Sequence, residues 1–131
     1  MSLESLVLDS QGLSGWIDRD RKVMRLLEQA ERDGVDLAMS AATVIEVSHP
    51  GVDVARLSWL LSRIRVEPVT KESARRSAEL LKAAGLHGHR YAIDAMVAEV
   101  ALRLAAPVAV LTSDVDDMAK LCGQRVRIIG L

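Results

Sequence analysis

Residues 107–117, PVAVLTSDVDD, constrain the fold more than any other part of the chain. The first half is a short apolar run rich in β-branched residues, which is typical of a strand covered on both faces of a parallel sheet. The second half is polar, with Thr112 and Ser113 followed by Asp114, Asp116 and Asp117. In open α/β sheets, ligands bind at the carboxyl ends of the strands. The segment therefore predicts an α/β fold and the edge at which a functional site lies.

Strand-like and helix-like patterns alternate along the rest of the chain. The predicted strands are residues 6–8, 35–39, 65–69, the run after Pro107, and 126–129, with helical patterns in the intervals. The clearest helix has apolar residues at three- and four-residue spacings from Ile93 to Leu104. This alternation implies right-handed βαβ crossovers and a parallel sheet. With 131 residues, the chain fits one domain, residues 1–131.

Charge and aromatic content limit how the chain could bind nucleic acid. The net charge is −1, so no overall basic field supplies non-specific affinity, and a nucleic-acid substrate would need a local basic patch or a bridging metal. The only aromatic residues are Trp16, Trp59 and Tyr91, which argues against a single-strand binder built mainly on stacking. Trp59 lies off the apolar stripe of its predicted helix and is a candidate interface residue.

The cysteine content and hydropathy bear on the compartment. Cys122 is the only cysteine, so no intrachain disulfide can form. There is no membrane-length apolar run and no apolar leader segment at the start of the sequence. We therefore expect a cytoplasmic protein that makes no membrane contact.

Four acids lie where the predicted topology would bring them together. Asp9 follows the first strand, Asp114 follows the fourth, Asp94 begins the clearest helix, and Glu46 lies in the helix after the second strand. The carboxyl ends of parallel strands share one edge, so these side chains can converge. Crowded carboxylates either shift their pKa values or recruit a cation. Ligands that are all oxygen favour Mg²⁺ or Mn²⁺ over zinc, and such an ion can activate a water for attack on a phosphodiester.

Helix capping is the alternative explanation for these acids. An aspartate between a strand and a helix is a favoured N-cap, and an acid in a first turn interacts well with the helix dipole. Asp114 followed three residues later by Asp117 is itself a capping pattern. Capping does not account for Glu46 in the middle of a predicted helix. The two explanations predict different roles for the same side chains.

Four motifs together resemble the PIN domain, specifically the VapC-type toxin ribonucleases of bacterial toxin–antitoxin pairs. The motifs are LVLDS, AATVIEV, AIDAMVAEVAL and VLTSDVDDM, and the resemblance runs from Leu6 to about Leu131. It implies a three-layer α/β sandwich with a five-stranded parallel sheet between helices. It also implies that Asp9, Glu46, Asp94 and Asp114 form a catalytic quartet.

The resemblance further implies the metal, the substrate and the partners. Asp9, Asp94 and Asp114, with Asp117 as an accessory acid, would bind Mg²⁺ or Mn²⁺, and Thr112 would support that site. Family members cleave RNA, are often homodimers, and are held inactive by a small antitoxin of the VapB type. All four acids of the quartet are present in this chain.

The segment before Asp94 contains two histidines that are weak candidates for metal ligands. His87 and His89 lack a third ligand at a defined spacing, and residues 86–90 are interpreted as a loop. If the acidic site is real, His89 or Arg90 is a candidate contact for a substrate phosphate.

Two other functions are compatible with acids at strand ends. A receiver-type phosphoacceptor switch would require a lysine at the end of a late strand, whereas the lysines here are at positions 22, 71, 82 and 120. A non-catalytic PIN-like binding module would use the acids only to attract a basic partner. Metal-dependent cleavage of RNA distinguishes the ribonuclease from this module.

Overall fold

Five strands and seven helices alternate along residues 2–131, the part of the chain that the computed structural model describes. The strands are β1 (Ser5–Leu8), β2 (Asp36–Ser40), β3 (Arg65–Glu67), β4 (Val108–Thr112) and β5 (Arg127–Gly130). The helices are α1 (Ser10–Ile17), α2 (Arg21–Arg32), α3 (Thr43–Val47), α4 (Val54–Leu61), α5 (Lys71–Ala84), α6 (Gly88–Arg103) and α7 (Val115–Cys122). None of the helices in this range is long and apolar enough to cross a membrane.

The strands form one parallel sheet in the order β3-β2-β1-β4-β5. This confirms the predicted five-stranded parallel sheet. The chain winds outward from β1 to β3 and then returns to place β4 on the other side of β1. Leu8 of β1 is in register with Leu111 of β4, so Asp9 and Thr112 lie next to each other at the carboxyl ends of the two strands. Their position is the switch point at which open α/β sheets bind ligands.

Two hydrophobic clusters, one on each face of the sheet, make the three-layer sandwich. Alternate residues of β1 point to opposite faces: Leu6 and Leu8 belong to one cluster and Val7 to the other. Helices α1, α2 and α4 pack on the first face, and α5, α6 and α7 pack on the second. The interior β4 is buried at every position, as its apolar run predicted.

A turn at residues 18–20 separates α1 from α2. The helical pattern that follows β1 is therefore divided into two helices. Arg19 adopts a left-handed φ of 58°, which ends the first helix. The carboxylate of Asp20 then accepts a hydrogen bond of 3.1 Å from the backbone N–H of Val23 and caps the second helix.

Helix α6 begins earlier than predicted, and it carries a buried glutamate near its carboxyl end. It begins at Gly88, so most of the predicted loop at residues 86–90 is helical, and non-helical dihedral angles at Tyr91 kink it. Near its other end, Glu99 is only 3% exposed. The Glu99 carboxylate accepts hydrogen bonds from Arg76 of α5 and from Arg103, which also donates to Glu67 of β3. This buried ionic network ties α5, α6 and β3 together.

Candidate active site at the carboxyl edge of the sheet

Asp9 is buried between β1 and α1 and is held in place by backbone N–H groups. It is 3% exposed, and its Oδ1 accepts a hydrogen bond of 2.9 Å from the N–H of Gly12. Burial raises the pKa of Asp9, while the Thr112 hydroxyl and the N–H groups of Gly12, Gln11 and Ser113 act in the opposite direction. Asp9 is therefore an N-cap, as the alternative explanation expected, and it also faces the end of β4.

Asp94 shows that the acids converge. Its carboxyl group is half-buried on α6, and its pKa is raised to about 6, first by burial and then by the charges of nearby acids. In decreasing order of effect, those acids are Asp114, Glu46, Asp9 and Asp117. Asp94 comes just after the kink at Tyr91, and the charges that act on it come from the start of α1, from α3 and from the start of α7. The mutual repulsion is the physical signature of a crowded acidic site.

The turn from β4 to α7 presents Asp114 without using it as a cap. The fully buried hydroxyl of Thr112 accepts a hydrogen bond of 2.9 Å from the N–H of Asp114. Asp114 itself occupies the N-cap position of α7, but its side chain makes no capping hydrogen bond and is exposed. Capping therefore explains Asp9 but not Asp114. Asp117 is half-buried one turn further on, while Asp116 is exposed.

Glu46 projects from the short helix α3, which follows β2. The residue is exposed, and its charge acts on Asp94. Three residues earlier, Thr43 is fully buried, and its hydroxyl lacks a hydrogen-bond partner within residues 2–131. Sequence patterns alone gave no indication of a role for Thr43 beyond its position three residues before Glu46 in α3.

The histidines and Arg90 lie at the start of α6. His87 occupies the N-cap position without a side-chain capping bond, and His89 and Arg90 are exposed in the first turn. The Arg90 guanidinium lies over the ring of Tyr91, at 5.2 Å from its centroid. Arg90 is about one turn before Asp94 along the helix. The structure thus places Arg90 near the acidic edge and shows no contact that assigns it a role.

A cavity of about 380 Å³ opens at the β4–α7 turn and is lined by residues 113–117 and Lys120. Of the acids predicted for the site, Asp114 and Asp117 line this cavity, and Asp9, Glu46 and Asp94 do not. Within residues 2–131, no three acid, histidine or cysteine side chains are already arranged to hold an ion. The donor set nevertheless fits Mg²⁺ or Mn²⁺ chemically, since it is made of carboxylate oxygens. The repulsion that raises the pKa of Asp94 is the kind of cost that a cation would offset.

Comparisons with known proteins agree with this architecture. The family model for the PIN domain matches residues 6–123. One similar structure is that of VapBC2 from Rickettsia felis bound to a fragment of promoter DNA. It has a TM-score of 0.69 and 13% identity, over 96% of this chain and 98% of that one. A toxin–antitoxin complex from Klebsiella pneumoniae is similar with a TM-score of 0.69 and 20% identity, over 93% of this chain and 95% of that one. No curated protein matches. At these identities, the similarity to the two solved structures establishes the fold.

Proposed function

This chain belongs to the PIN domain family, and from that premise we propose that it is a metal-dependent endoribonuclease, the VapC-type toxin of a type II toxin–antitoxin pair. The observation that carries the proposal is the placement of the acids at one edge of the sheet: Asp9 and Asp114 follow the neighbouring strands β1 and β4. The pKa of Asp94, raised by burial and by the charges of four acids, supports it. Of the two acids at helix starts, Asp9 caps its helix and Asp114 does not. Capping alone therefore does not account for the cluster.

In this proposal the acids divide into ligands and a residue that handles the water. Asp9, Asp94 and Asp114 would hold Mg²⁺ or Mn²⁺, with Asp117 as an accessory ligand. The bound ion would supply a water of lowered pKa and would offset charge on the phosphate. Glu46 is exposed at the edge of the cluster and would orient that water or accept its proton.

The backbone around Asp9 and Thr112 would hold the ligands in position. One oxygen of Asp9 is fixed by the Gly12 N–H, so its carboxylate cannot rotate freely. Thr112 fixes the turn that presents Asp114. Arg90 and His89, exposed at the start of α6, are the candidates for contact with the RNA phosphates, where a guanidinium can form paired hydrogen bonds.

The proposed partner is a small antitoxin of the VapB type. One of the two similar structures is a toxin–antitoxin complex and the other is VapBC2, which supports this assignment. We further propose a homodimer that acts in the cytoplasm.

Expression of the chain alone should arrest bacterial growth, and Asp94→Asn should relieve the arrest. Normal growth with abundant soluble wild-type protein would contradict the toxin assignment.

Cleavage of a labelled RNA tests the activity directly. The purified protein should cut the RNA in Mn²⁺ or Mg²⁺ and should not cut it in EDTA. Asp94→Asn should abolish cleavage, whereas Asp116→Asn should retain most of it, because Asp116 is exposed on α7 and is not among the acids that act on Asp94. Equal loss of cleavage in both variants would show that the activity depends on net charge and not on the proposed ligands.

Absence of cleavage by a folded wild-type protein would favour the non-catalytic binding module. The receiver-type switch has less support, since all four lysines of the chain lie on helices in the structure.

A further inference from the structure

The first two turns of α2 carry a cluster of exposed cations. The side chains of Arg21, Lys22 and Arg25 are exposed, and none of them makes an ion pair or a hydrogen bond with another side chain or carbonyl group in residues 2–131. With Leu26 and Gln29 they line an open groove of about 620 Å³, the α2 groove, and no acid lines it. The three cations are therefore free to bind an anion.

The α2 groove is continuous with the acidic edge of the sheet. Lys22 also lines a second groove of about 330 Å³, the middle groove, in which residues of α1 and α2 face Ser113. Ser113 in turn lines the cavity at the β4–α7 turn, together with Asp114 and Asp117. Three adjoining concave surfaces thus meet at Lys22 and at Ser113. A chain that lies along them would run from the cations of α2 to the proposed metal ligands.

The middle groove also contains negative charge. Asp18 and Asp20 line it, and the carboxylate of Asp20 caps α2 by accepting a hydrogen bond from the N–H of Val23. Asp18 is exposed, and its charge would oppose the binding of an anion beside Lys22. The positive charge is therefore concentrated on the α2 side of the path, and Asp18 offers a test of opposite sign.

The arrangement of the cations suits the backbone of a nucleic-acid strand. Residues three and four apart are neighbours on a helix surface, so Arg25 lies beside both Arg21 and Lys22. A row of exposed cations in an open groove matches a polymer that carries one phosphate per nucleotide. The chain has a net charge of −1, so affinity for such a polymer has to come from a local patch of this kind.

We propose that Arg21, Lys22 and Arg25 bind the phosphate backbone of single-stranded RNA, which then follows the middle groove to the acidic site. This inference rests on the proposal that RNA is the substrate, and it adds the direction in which the strand leaves the cleaved bond. Phosphate contacts position a nucleic acid but do not read its sequence. The cations therefore contribute affinity for RNA of any sequence, and this contribution decreases with salt.

Binding of a labelled oligouridylate, measured by fluorescence anisotropy in EDTA over a range of salt concentrations, tests the α2 groove without cleavage. For a single strand, each phosphate contact contributes about 0.7 to the slope of log affinity against log salt. Arg25→Gln should reduce the slope by about that amount. The triple variant Arg21→Gln, Lys22→Gln, Arg25→Gln should reduce it by about 2.

Arg75→Gln is the matched control for Arg25→Gln, because it removes the same charge from an exposed position on α5, which packs on the other face of the sheet. It should bind RNA like the wild type. Asp18→Asn should strengthen binding, whereas Glu79→Gln, which removes an acid from the exposed surface of α5, should not change it. Equal effects of Arg25→Gln and Arg75→Gln would overturn the site, since net charge alone would then explain them.

Two further results would also overturn the α2 groove. One is a wild-type protein that does not bind the oligouridylate at low salt, or a triple variant with an unchanged slope. The other is a triple variant that binds RNA normally but no longer retains a co-purified antitoxin, since the cations would then belong to a protein interface.

The two proposals can fail separately. Cleavage in Mn²⁺ by a triple variant with unchanged RNA affinity would leave the ribonuclease and remove the RNA path. RNA affinity that depends on the three cations, without cleavage under any metal condition, would leave the RNA-binding groove and remove the ribonuclease. If both proposals hold, the triple variant should show a raised KM for RNA and an unchanged kcat, because the cations lie outside the acidic cluster.

Discussion

Asp94 and Asp114 lie on different helices, yet the charge of Asp114 raises the pKa of Asp94 more than that of any other acid. The relationship follows from strand order. The strand β4, which delivers Asp114, lies next to β1 on the opposite side from β2, and α6 runs into β4. The effect of the Asp114 charge on Asp94 has consequences for stability, metal binding and pH dependence.

The pH dependence of stability without metal should report the raised pKa of Asp94, which burial and then the charges of nearby acids cause. Its folded pKa of about 6 lies above the unfolded value of about 3.9, so the folded state binds the proton more tightly. Its contribution to stability is therefore present below about pH 4 and is lost as the pH rises through about 6. Urea unfolding in EDTA should show this fall in the wild type. In Asp94→Asn the fall should be reduced; an unchanged profile would mean that the pKa of Asp94 is not raised in the folded protein.

Two substitutions at Asp9 should separate its capping from its charge. Asp9→Asn keeps an oxygen that can accept the hydrogen bond from Gly12, whereas Asp9→Ala removes it. We expect the alanine variant to be less stable than the asparagine variant by about 0.5–2 kcal/mol in EDTA. Both variants should lose cleavage because both lack the charge. Full activity in Asp9→Asn would remove Asp9 from the ligand set.

Addition of Mn²⁺ should stabilise the folded protein. At a free concentration one hundred times the dissociation constant, a single site adds about 2.7 kcal/mol to the free energy of unfolding. The gain should be lost or greatly reduced in Asp94→Asn and retained in Asp116→Asn. Thermal unfolding over a range of Mn²⁺ concentrations provides the measurement. A melting temperature that does not respond to millimolar Mn²⁺ or Mg²⁺ would contradict the metal site.

Acidification should reduce the contribution of Glu99 to folding stability, whereas it should increase that of Asp94. Burial alone would raise the pKa of Glu99, but hydrogen bonds from Arg103 and Arg76 lower it overall. The contribution of Glu99 to folding stability is therefore present above the ordinary pKa of a glutamate. It is lost as the pH falls through the lowered pKa of Glu99 in the folded state.

Glu99→Ala tests this network. We expect it to destabilise the protein by about 1–3 kcal/mol, the range for hydrogen bonds to charged groups, because Arg76 and Arg103 keep access to solvent and leave no buried unpaired charge. Glu79→Ala, exposed on α5, is the control and should change stability little. Similar losses in both variants would show that the network adds nothing specific.

Local patterns predicted the strands and the acids because both depend on neighbouring residues. The short apolar run after Pro107 could be identified as a buried strand, and Asp9 and Asp114 as acids that follow strands. The same patterns could not show that Asp9 caps its helix while Asp114 does not. That difference depends on backbone angles: Asp9 is extended, at φ −84° and ψ −175°, whereas Asp114 is at φ −101° and ψ 62°.

The buried Glu99 shows a second limit of local patterns. Helix α6 was predicted from its apolar spacing, and a glutamate within it would ordinarily be expected at the surface. Glu99 is buried because Arg76 comes from α5 and because Arg103 also reaches Glu67 of β3. Partners on other elements cannot be inferred from the spacing within one helix. The two arginines over the exposed Trp59 ring likewise have partners on other elements. Arg63 pairs with Glu31 of α2, and Arg56 donates to backbone carbonyl groups at the end of α1.

The anchoring of Arg56 restricts which residues natural variants can carry at that position. Its Nε and Nη2 atoms donate to two successive carbonyl groups where α1 ends, while its planar group lies near the Trp59 ring. Lysine has the same charge but a single ammonium group, which cannot reproduce this planar fork or stack in the same way. Replacement of Arg56 by lysine, usually counted as conservative, would therefore weaken the contact between α1 and α4.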